Sequence, residues 1–463
     1  MDAPGLAVID RLTAEDQVML AASAAWPQDI GVLAVIDGTR LVDATGRLQL
    51  DRIRALVESR LHRVHRFRQV IRTPRRWLGP PLWVDVPTID LRQHVRELSL
   101  EAGADERSLL VAVERLRSRP LDPGRPRWEM WFLTGLPHRR VGLFVKIHHA
   151  VADGLAAMEI LKAFFDRSPA AANGPWVIRT PEPMPSTCAL LLDNAARQFG
   201  GIARTIAGLL QLRRTAERLH LAWPAVRELL ADRPGPRTSL DRVIGPARLT
   251  AVVRAPYLQV RRIGRAEGAS VNDVLLAITA GGLRALLQSR GESVDGLAMR
   301  IFVPVTLRHR LHATESGTQI AQMVVPLPVG EADPRRRLRR ITAETTRRKG
   351  RVRTSLGSLF GGRLVRGLLL KAVIRQRVNV ASTSIPGPAR PLFFAGARVL
   401  EVVPLIALIG NVPLGIAAVS YAGEWRIGIV ADRDAVPDLQ VFVAGMREDL
   451  RALSGEAAAI VAA

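Results

Sequence analysis

Residues 148–154 read His-His-Ala-Val-Ala-Asp-Gly and follow directly on an apolar run over residues 141–147. The run predicts a buried strand that ends at the histidine pair. Because successive side chains of a strand point to opposite faces, we expect His148 and His149 to face opposite ways, one packed inside and one presented to a cleft. This arrangement disfavours a shared metal ion. We expect Asp153 to lie at the start of the next helix, where backbone N–H groups stabilise a carboxylate.

Strand and helix patterns alternate on both sides of this stretch. On its N-terminal side, residues 31–36 predict a buried strand and residues 52–65 predict an arginine-rich helix. On its C-terminal side, residues 270–273, Ser-Val-Asn-Asp, are typical of a helix start, because Ser, Asn and Asp side chains cap exposed N–H groups. Strands are predicted over residues 301–305 and 323–327. The alternation indicates two successive αβ blocks.

The length of the chain predicts more than one domain. Single hydrophobic cores stop growing near ~250–300 residues, whereas this chain has 463. Residues 166–185 are rich in Pro, Ser and Ala, and an amphipathic, basic helical pattern follows from residue 187 to 231. We predict an N-terminal domain over 1–166, a linker and crossover helical segment over 167–237, and a C-terminal domain over 238–463.

Two interpretations of the crossover helix stay open at this point. Either it docks on the protein's own domains, or it rests on a membrane or lipid-droplet surface. The formal net charge of +23 fits weak attraction to anionic lipid. It does not predict nucleic-acid binding, because all but four of the 66 basic residues are arginines spread over the whole chain and only 5% of residues are aromatic.

The single cysteine and the N-terminal sequence indicate in which cellular compartment the protein is expected. Cys188 is the only cysteine, so neither an internal disulfide nor a cysteine-rich zinc site is expected. Residues 1–5 do not form the basic start of a signal peptide, and no apolar run is long enough for a transmembrane helix. The expected location is the cytoplasm, with peripheral attachment to the inner face of the membrane or to lipid droplets as an alternative.

The remaining histidines do not form a predicted metal site. His62 and His65 lie among arginines, His94 is expected to pack at a strand, and His309 and His312 follow an arginine in a loop. No metal and no permanently bound cofactor are therefore expected.

The histidine pair suits acyl transfer from a thioester to a hydroxyl. The acceptor hydroxyl must lose its proton as it attacks, and a histidine with a pKa near ~6.5 is mostly neutral at cytoplasmic pH and can take that proton. An enzyme nucleophile is not required, and the chain contains neither a Gly-x-Ser-x-Gly elbow nor a cysteine placed beside a histidine. The residues therefore fit acyl transfer from a thioester with a histidine of residues 148–154 as base; the resemblance described next implies that the thioester is an acyl-CoA.

Residues 148–154 match the HHxxxDG motif of the chloramphenicol-acetyltransferase-like superfamily. Further segments resemble the bacterial wax ester synthase/diacylglycerol acyltransferases within it; they are residues 81–85, 90–96, 120–129, 271–275, 303–308, 385–388, 428–433 and 436–438. The chain departs from that family at Ser384, where the family usually has Asn, and at residues 410–415. These departures bear on the choice of acceptor.

The resemblance implies a fold and an arrangement of the site. The fold would be α/β, an α+β sandwich, with two chloramphenicol-acetyltransferase-like domains, each a mixed β-sheet flanked by helices. The two domains would be related by a pseudo-twofold axis, with the active site at their interface. By family analogy His149 would be the base, His148 auxiliary, and Asp153, followed by Gly154, an orienting carboxylate.

The resemblance also assigns residues of the second domain. Asn272 would face the site, Asp273 would support its own helix, and Arg308 is a candidate structural partner of Asp153. Acyl-CoA would be a co-substrate rather than a bound cofactor.

The implied function is transfer of a long-chain acyl group from acyl-CoA to diacylglycerol or a long-chain alcohol, which yields triacylglycerol or wax ester. Two alternatives remain. The enzyme could be a CoA- or carrier-dependent acyltransferase for a non-lipid hydroxyl or amine. It could also be a catalytically weak member of the fold that binds lipid surfaces.

Overall fold

The computed structural model describes residues 9–23, 26–152, 160, 162–170, 180–210, 237–306, 320–351 and 378–455. The helices are α1 (Ala14–Ala22), α2 (Leu50–Arg60), α3 (Leu91–His94), α4 (Glu106–Ser118), α5 (Thr187–Leu210), α6 (Tyr257–Ala266), α7 (Val271–Ser289), α8 (Pro334–Arg351) and α9 (Leu439–Ser454). Short 3-10 helices lie at Gly38–Arg40, Leu61–Arg63, His65–Arg68, Arg76–Leu78 and Pro137–Arg139.

The strands are β1 (Asp29–Asp37), β2 (Gln69–Arg72), β3 (Leu82–Asp85), β4 (Val95–Ser99), β5 (Trp128–Thr134), β6 (Arg140–His148), β7 (Arg248–Pro256), β8 (Met299–Thr306), β9 (Ile320–Leu327), β10 (Val380–Pro386), β11 (Phe393–Phe394), β12 (Ala397–Leu405), β13 (Leu414–Tyr421) and β14 (Glu424–Asp432). The strands predicted over 31–36, 301–305 and 323–327 lie within β1, β8 and β9 and are confirmed.

The chain divides into two compact units. As far as their residues are described, the first consists of Met1–Leu109, Arg119–His220 and Pro391–Glu401, and the second of Leu110–Ser118, Leu221–Arg390 and Val402–Ala463. Each unit therefore contains a short segment from the half of the sequence that mainly builds the other.

The first unit contains a mixed sheet with the strand order β11-β12-β1-β6-β5-β4. Strand β6 pairs antiparallel with β1 on one side and β5 on the other, whereas β4 and β5 are parallel. Because β6 is a central strand, its side chains from Val141 to His148 are all buried. This burial explains its almost continuous apolar sequence.

Aromatic rings pack near the end of β6. Trp128 of β5 stacks on Phe67 with ring centroids 4.5 Å apart and on His94 with centroids 4.4 Å apart. His94 also hydrogen-bonds through Nδ1 to the carbonyl of Trp128 at 2.8 Å, and burial lowers its pKa. His94 therefore packs in the core, as expected from the sequence.

The second unit contains another mixed sheet, with the order β7-β14-β13-β10-β8-β9. Strand β10 is parallel to β13 and β8, and the remaining pairs are antiparallel. Helix α7 is buried along most of its length against α9. A Cβ atom at Gly282 would lie 2.7 Å from the carbonyl oxygen of Phe442, so the close approach of the two helices requires glycine there.

The prediction of an α/β architecture with mixed sheets and flanking helices is thus confirmed. Among the residues that the structure describes, no single helix is long and apolar enough to cross a membrane. Within the same described residues, one bent pair of helices, α6 and α7 at an angle of 93°, meets the criteria of length and composition.

Candidate active site

His148 is the last residue of β6 and is almost completely buried, with 2% of its surface exposed. It lies opposite Asp29 of β1, and its backbone N–H donates to the carbonyl of Arg127 at 3.1 Å. The strand therefore carries the first histidine of the pair into the interior of the first unit.

The hydrogen bonds of the His148 ring define its tautomer. The backbone N–H of Ala150 donates to Nδ1 at 3.1 Å, so Nδ1 has no proton. Nε2 lies 2.8 Å from the hydroxyl of Ser23, and that hydroxyl donates to the carbonyl of Met19 at 2.8 Å. A neutral ring with its proton on Nε2 gives every donor in this series of hydrogen bonds an acceptor, because Nε2–H donates to the Ser23 oxygen.

The surroundings of His148 hold its pKa far below the ordinary value. Burial is the largest cause, and electrostatic interactions with Arg127, His149 and Lys146 add to it, which lowers the pKa to about 3. Both ring nitrogens are engaged and the ring resists protonation. His148 is therefore a poor general base, although it belongs to the motif.

A buried ion pair lies close to this histidine. Lys146 and Asp29 have Nζ and Oδ2 3.2 Å apart with side chains 1% and 6% exposed, and Lys146 also donates to the carbonyl of Arg119. Lys146 precedes His148 by two residues and so shares its face of β6. Arg127 is half-buried with an Nε that has no hydrogen-bond partner among the described residues, and burial lowers its pKa against the opposing charge of Asp29.

His149 begins the turn that follows β6, and its side chain is half-buried. Its backbone N–H donates to the carbonyl of Gln28 at 2.8 Å, and the backbone N–H of Val151 donates to the carbonyl of His148 at 2.8 Å. The turn is thus held on both sides of His149. The two histidines differ in burial, as strand alternation led us to expect.

The first turn of α7 contains Asn272 and Asp273, and Ser270 is the N-cap. The Ser270 hydroxyl accepts from the backbone N–H of Asp273 at 3.2 Å and donates to Oδ2 of its carboxylate at 2.6 Å; Oδ2 also accepts from the backbone N–H of Ser270 at 2.8 Å. The other oxygen, Oδ1, accepts from the Thr345 hydroxyl of α8 at 2.7 Å. The predicted helix start is confirmed, and Asp273 is buried whereas Asn272 is half-buried.

Three residues of the predicted site, Asp153, Gly154 and Arg308, lie outside the described residues. Their assigned roles stay predictions, as does the assignment of His149 as base. Within the described ranges, no group of three His, Cys, Asp or Glu side chains could hold a metal ion.

The sequence did not point to Ser23, Asp29, Arg127 or Thr345 as neighbours of the motif residues. The separations along the chain are 21 positions for Arg127 and His148, 72 for Thr345 and Asp273, and 125 for Ser23 and His148, so no pattern of neighbouring residues predicts these contacts. Lys146 did leave a signal. It is a lone lysine inside an apolar run of a chain that otherwise uses arginine, which indicates a buried ion pair.

Comparison with known families identifies the chain. A family model described as the wax ester synthase/diacylglycerol acyltransferase catalytic domain matches residues 12–275, and the C-terminal domain of the same family matches residues 316–454. The chain belongs to the wax ester synthase/diacylglycerol acyltransferase family. It is therefore an acyltransferase, which confirms the family and the enzyme class predicted from the sequence.

Relatives of known name support this assignment. A probable diacylglycerol O-acyltransferase of Mycobacterium tuberculosis is 29% identical over 432 residues, which cover 90% of this chain and 89% of the relative. A putative diacylglycerol O-acyltransferase of Mycobacterium bovis matches to the same extent.

Solved structures show the fold. The wax ester synthase/diacylglycerol acyltransferase of Marinobacter aquaeolei aligns with a TM-score of 0.68 at 24% identity and covers 96% of this chain and 100% of that one. A mutant starter condensation domain of rhizomide synthetase, in complex with C8-CoA and Leu-SNAC, aligns with a TM-score of 0.59 at 15% identity, covering 98% and 96%. This family member thus has the fold of the condensation domains as well.

Proposed function

We propose that this family member transfers a long-chain acyl group from acyl-CoA to the hydroxyl of diacylglycerol, of a long-chain alcohol, or of both, with His149 as general base. The observation that carries the proposal is the state of the neighbouring histidine. His148 has both ring nitrogens in buried hydrogen bonds and a pKa lowered to about 3. The role of base therefore goes to His149, whose side chain is half-buried.

In this mechanism the acceptor hydroxyl attacks the carbonyl carbon of the thioester while neutral His149 accepts its proton. The C–O bond forms, and collapse of the tetrahedral intermediate breaks the C–S bond. Protonated His149 then gives the proton to the departing thiolate, so that free CoA leaves and the histidine is neutral again. The fixed turn supports this role because the backbone N–H of His149 donates to Gln28 and the carbonyl of the preceding His148 accepts from Val151.

The partner residues of the site complete the proposal. Asp153, with Gly154 after it, would orient the histidine turn, and Arg308 would pair with Asp153. Asn272 would contact the substrates, and Asp273 would keep the first turn of α7 in place through Ser270 and Thr345. The proposal also includes the division of the chain into an N-terminal domain up to residue 166, a linker and crossover helical segment over 167–237, and a C-terminal domain from residue 238.

The test is turnover of labelled palmitoyl-CoA with diacylglycerol, with hexadecanol and with no acceptor. His149→Ala is expected to lower kcat by roughly 10²–10⁴-fold, which is the usual contribution of a general base. His62→Ala, a half-buried histidine of the same unit, is the matched control and should keep full activity. Full activity of His149→Ala would exclude it as the base.

A second candidate function, transfer to a non-lipid hydroxyl or amine, is favoured by Ser384 and residues 410–415, which depart from the family pattern. Turnover with short water-soluble alcohols or amines and none with diacylglycerol or hexadecanol would support it. The remaining alternative, a catalytically weak lipid-binding member, predicts lipid binding with no turnover on any acceptor. For the lipid acyltransferase, we also propose peripheral association with the membrane or lipid droplets, where its acceptors reside.

A further inference from the structure

Three side chains lie side by side across the first sheet at the end of β6. His148 is opposite Asp29 of β1, and the register of β5 and β6, in which Trp128 pairs with Ile147, continues by one step to put Arg127 opposite His148. The hydrogen bond from the His148 N–H to the carbonyl of Arg127 agrees with this placement. Directly opposite residues of antiparallel strands share a face of the sheet, with Cβ atoms about 5 Å apart. The side chains of Arg127 and Asp29 therefore extend from either side of His148 on one face.

The positive charge of Arg127 has no close partner on this face. Asp29 is already paired with Lys146 at 3.2 Å, and its charge acts on Arg127 from a greater distance. Within the described residues, the Arg127 guanidinium forms no ion pair, and its buried Nε has no hydrogen-bond partner. A half-buried charge without a partner is costly, and such groups are concentrated at functional sites.

Charged groups from several elements surround the ring of His148. Among the described residues, they are Arg127 and Glu129 of β5, Asp29 of β1, Lys146 of β6 and His149 of the turn, while α1 contributes the uncharged hydroxyl of Ser23. Glu129 lies opposite Lys146 and accepts a hydrogen bond from the indole N–H of Trp131 at 2.8 Å. Of these charges, that of Arg127 makes the largest contribution to the low pKa of His148.

The neutral state of His148 determines how firmly the turn that carries His149 is held. The Ala150 N–H donates to Nδ1 at 3.1 Å, which requires that this nitrogen has no proton. A protonated ring has an N–H at both positions, so Nδ1–H would face the Ala150 N–H and this hydrogen bond would be lost. The turn would then lose one of the bonds that fix the backbone after His149.

We propose that Arg127 is a positioning residue of this enzyme: its positive charge keeps His148 neutral and thereby preserves the Ala150 hydrogen bond that holds the His149 turn in place. The inference rests on the proposed function in so far as His149 is the base. It adds a residue that acts on the base through the neighbouring histidine. It also means that the proton taken from the acceptor hydroxyl stays on His149 until it returns to the thiolate, because His148 does not compete for it.

Nitrogen NMR of the full chain with isotope-labelled histidine observes the ring of His148 without any substrate. The His148 signals are assigned by their absence from the spectrum of His148→Gln. In the wild type, they should show a neutral ring with its proton on Nε2 from pH 8 down to pH 5. Arg127→Glu, which puts a carboxylate opposite the ring, should bring the protonation of His148 into this range. A wild-type His148 that titrates like an ordinary histidine would overturn the proposal.

Further variants separate the charge of Arg127 from its packing. Arg127→Lys retains the charge and should keep His148 neutral, whereas Arg127→Met removes the charge and should let the ring take up a proton at a higher pH than in the wild type. Arg125→Glu is the matched control for Arg127→Glu, because it makes the same change of charge two residues away at a side chain that is 48% exposed. It should leave His148 neutral. If Arg127→Glu and Arg127→Met both leave the titration of His148 unchanged, the proposal is wrong.

The pH dependence of kcat/KM, measured with palmitoyl-CoA and diacylglycerol, tests whether the effect reaches His149. In the wild type, only His149 of the pair titrates between pH 8 and pH 5.5, so kcat/KM should follow its neutral fraction. In Arg127→Glu, protonation of His148 adds a second loss, and the ratio of kcat/KM at pH 8 to that at pH 5.5 should exceed the wild-type ratio at least about threefold. Arg125→Glu should keep the wild-type ratio. A loss in Arg127→Glu that is equal at both pH values would indicate packing alone and overturn the positioning role.

The two readouts distinguish a failure of this inference from a failure of the proposed function. If His149→Ala keeps full activity, His149 is not the base, and the titration of His148 still decides whether Arg127 keeps the ring neutral. If His149→Ala is inactive but His148 stays neutral in Arg127→Glu down to pH 5, the proposed function stands and the role of Arg127 is rejected.

Discussion

The end of β6 and the start of α7 each contain a pair of adjacent polar residues from the family motifs. In both pairs, one residue is buried with its polar atoms engaged and the neighbour is half-buried. His148 uses both ring nitrogens, and Asp273 uses both carboxylate oxygens. His149 and Asn272 are the half-buried partners. The buried residue of each pair holds the backbone that carries the other.

The two pairs differ in where their support comes from. Asp273 is held chiefly by Ser270, three residues away in the same helix turn, in a capping box. The His148 ring is held at Nδ1 by Ala150, two residues away, but at Nε2 by Ser23, which lies 125 residues earlier in the chain. Hydrogen bonds between neighbouring residues form together with the helix itself, whereas a hydrogen bond to a distant residue forms only when the whole unit folds. We therefore expect the histidine pair to be the more easily disrupted of the two.

The largest effect on stability is expected from His148→Ala. It removes a buried ring and leaves the Ala150 N–H and the Ser23 hydroxyl without their partner, so the free energy of unfolding should fall by about 2–4 kcal/mol. Urea unfolding of this variant beside His149→Ala measures the contrast, since the latter should change stability by less than about 1 kcal/mol. Equal losses in both variants would contradict the division between a buried and a half-buried histidine.

The lowered pKa of His148 predicts a pH dependence of stability. The folded-state pKa is about 3, whereas an unfolded histidine titrates near ~6.5. Between these values only the unfolded state binds the proton, so this contribution is complete above pH ~6.5 and is lost as the pH falls. At pH 5 the loss is about 2 kcal/mol.

Unfolding of the wild type and of His148→Gln at pH 7 and at pH 5 isolates this effect, because the other titrating groups are common to both proteins. The stability of the wild type should drop more on acidification. If both proteins lose the same amount, His148 is not the origin of the pH dependence.

A smaller effect is expected from Asp273→Ala. The capping box and the bond to Thr345 are lost, which should cost about 1–2 kcal/mol. Asn272→Ala in the same turn should cost less than about 0.5 kcal/mol while lowering turnover, if Asn272 contacts the substrates. A large loss of stability in Asn272→Ala would contradict the expectation that the half-buried residue of each pair contributes little to stability.

Among the residues that hold the two pairs in place, the smallest effect is expected from Ser23→Ala, which removes the acceptor of the His148 Nε2 proton. Because Ser23 is only half-buried, water can replace its hydroxyl in part, and the cost should be about 1 kcal/mol. Ser23→Thr keeps a hydroxyl and should restore most of the stability and turnover. Failure of Thr to do better than Ala would mean that the hydrogen bond is not what holds the ring.

Much of the architecture could be predicted because it depends on neighbouring residues. The apolar run before the histidines indicated β6, and Ser270 with Asp273 indicated the start of α7. Burial of a strand and capping of a helix both leave periodic or short-range signals in the sequence. The motif of residues 148–154, read with the other family segments, led to the correct family and enzyme class.

The orientation of α5 shows where such signals end. Its amphipathic pattern predicts a helix with one apolar side, and both a docked helix and a lipid-bound helix fit that pattern. The contacts of Arg11 with Asp193 and of Asn194 with Trp77 select the polar side for docking. Helical periodicity records that two sides differ, but not which of them meets the protein.

By itself, the sequence determined the αβ elements, the family and the motif pair His148–His149, because each rests on residues close together in the chain. Only the tertiary structure decided which histidine is buried, which tautomer it adopts and which ion pair lies beside it. Those properties depend on Ser23, Asp29 and Arg127, whose approach to β6 follows from the packing of the whole unit. Burial and electrostatic environment come from distant parts of the chain meeting in the folded state, and a linear pattern does not encode them locally.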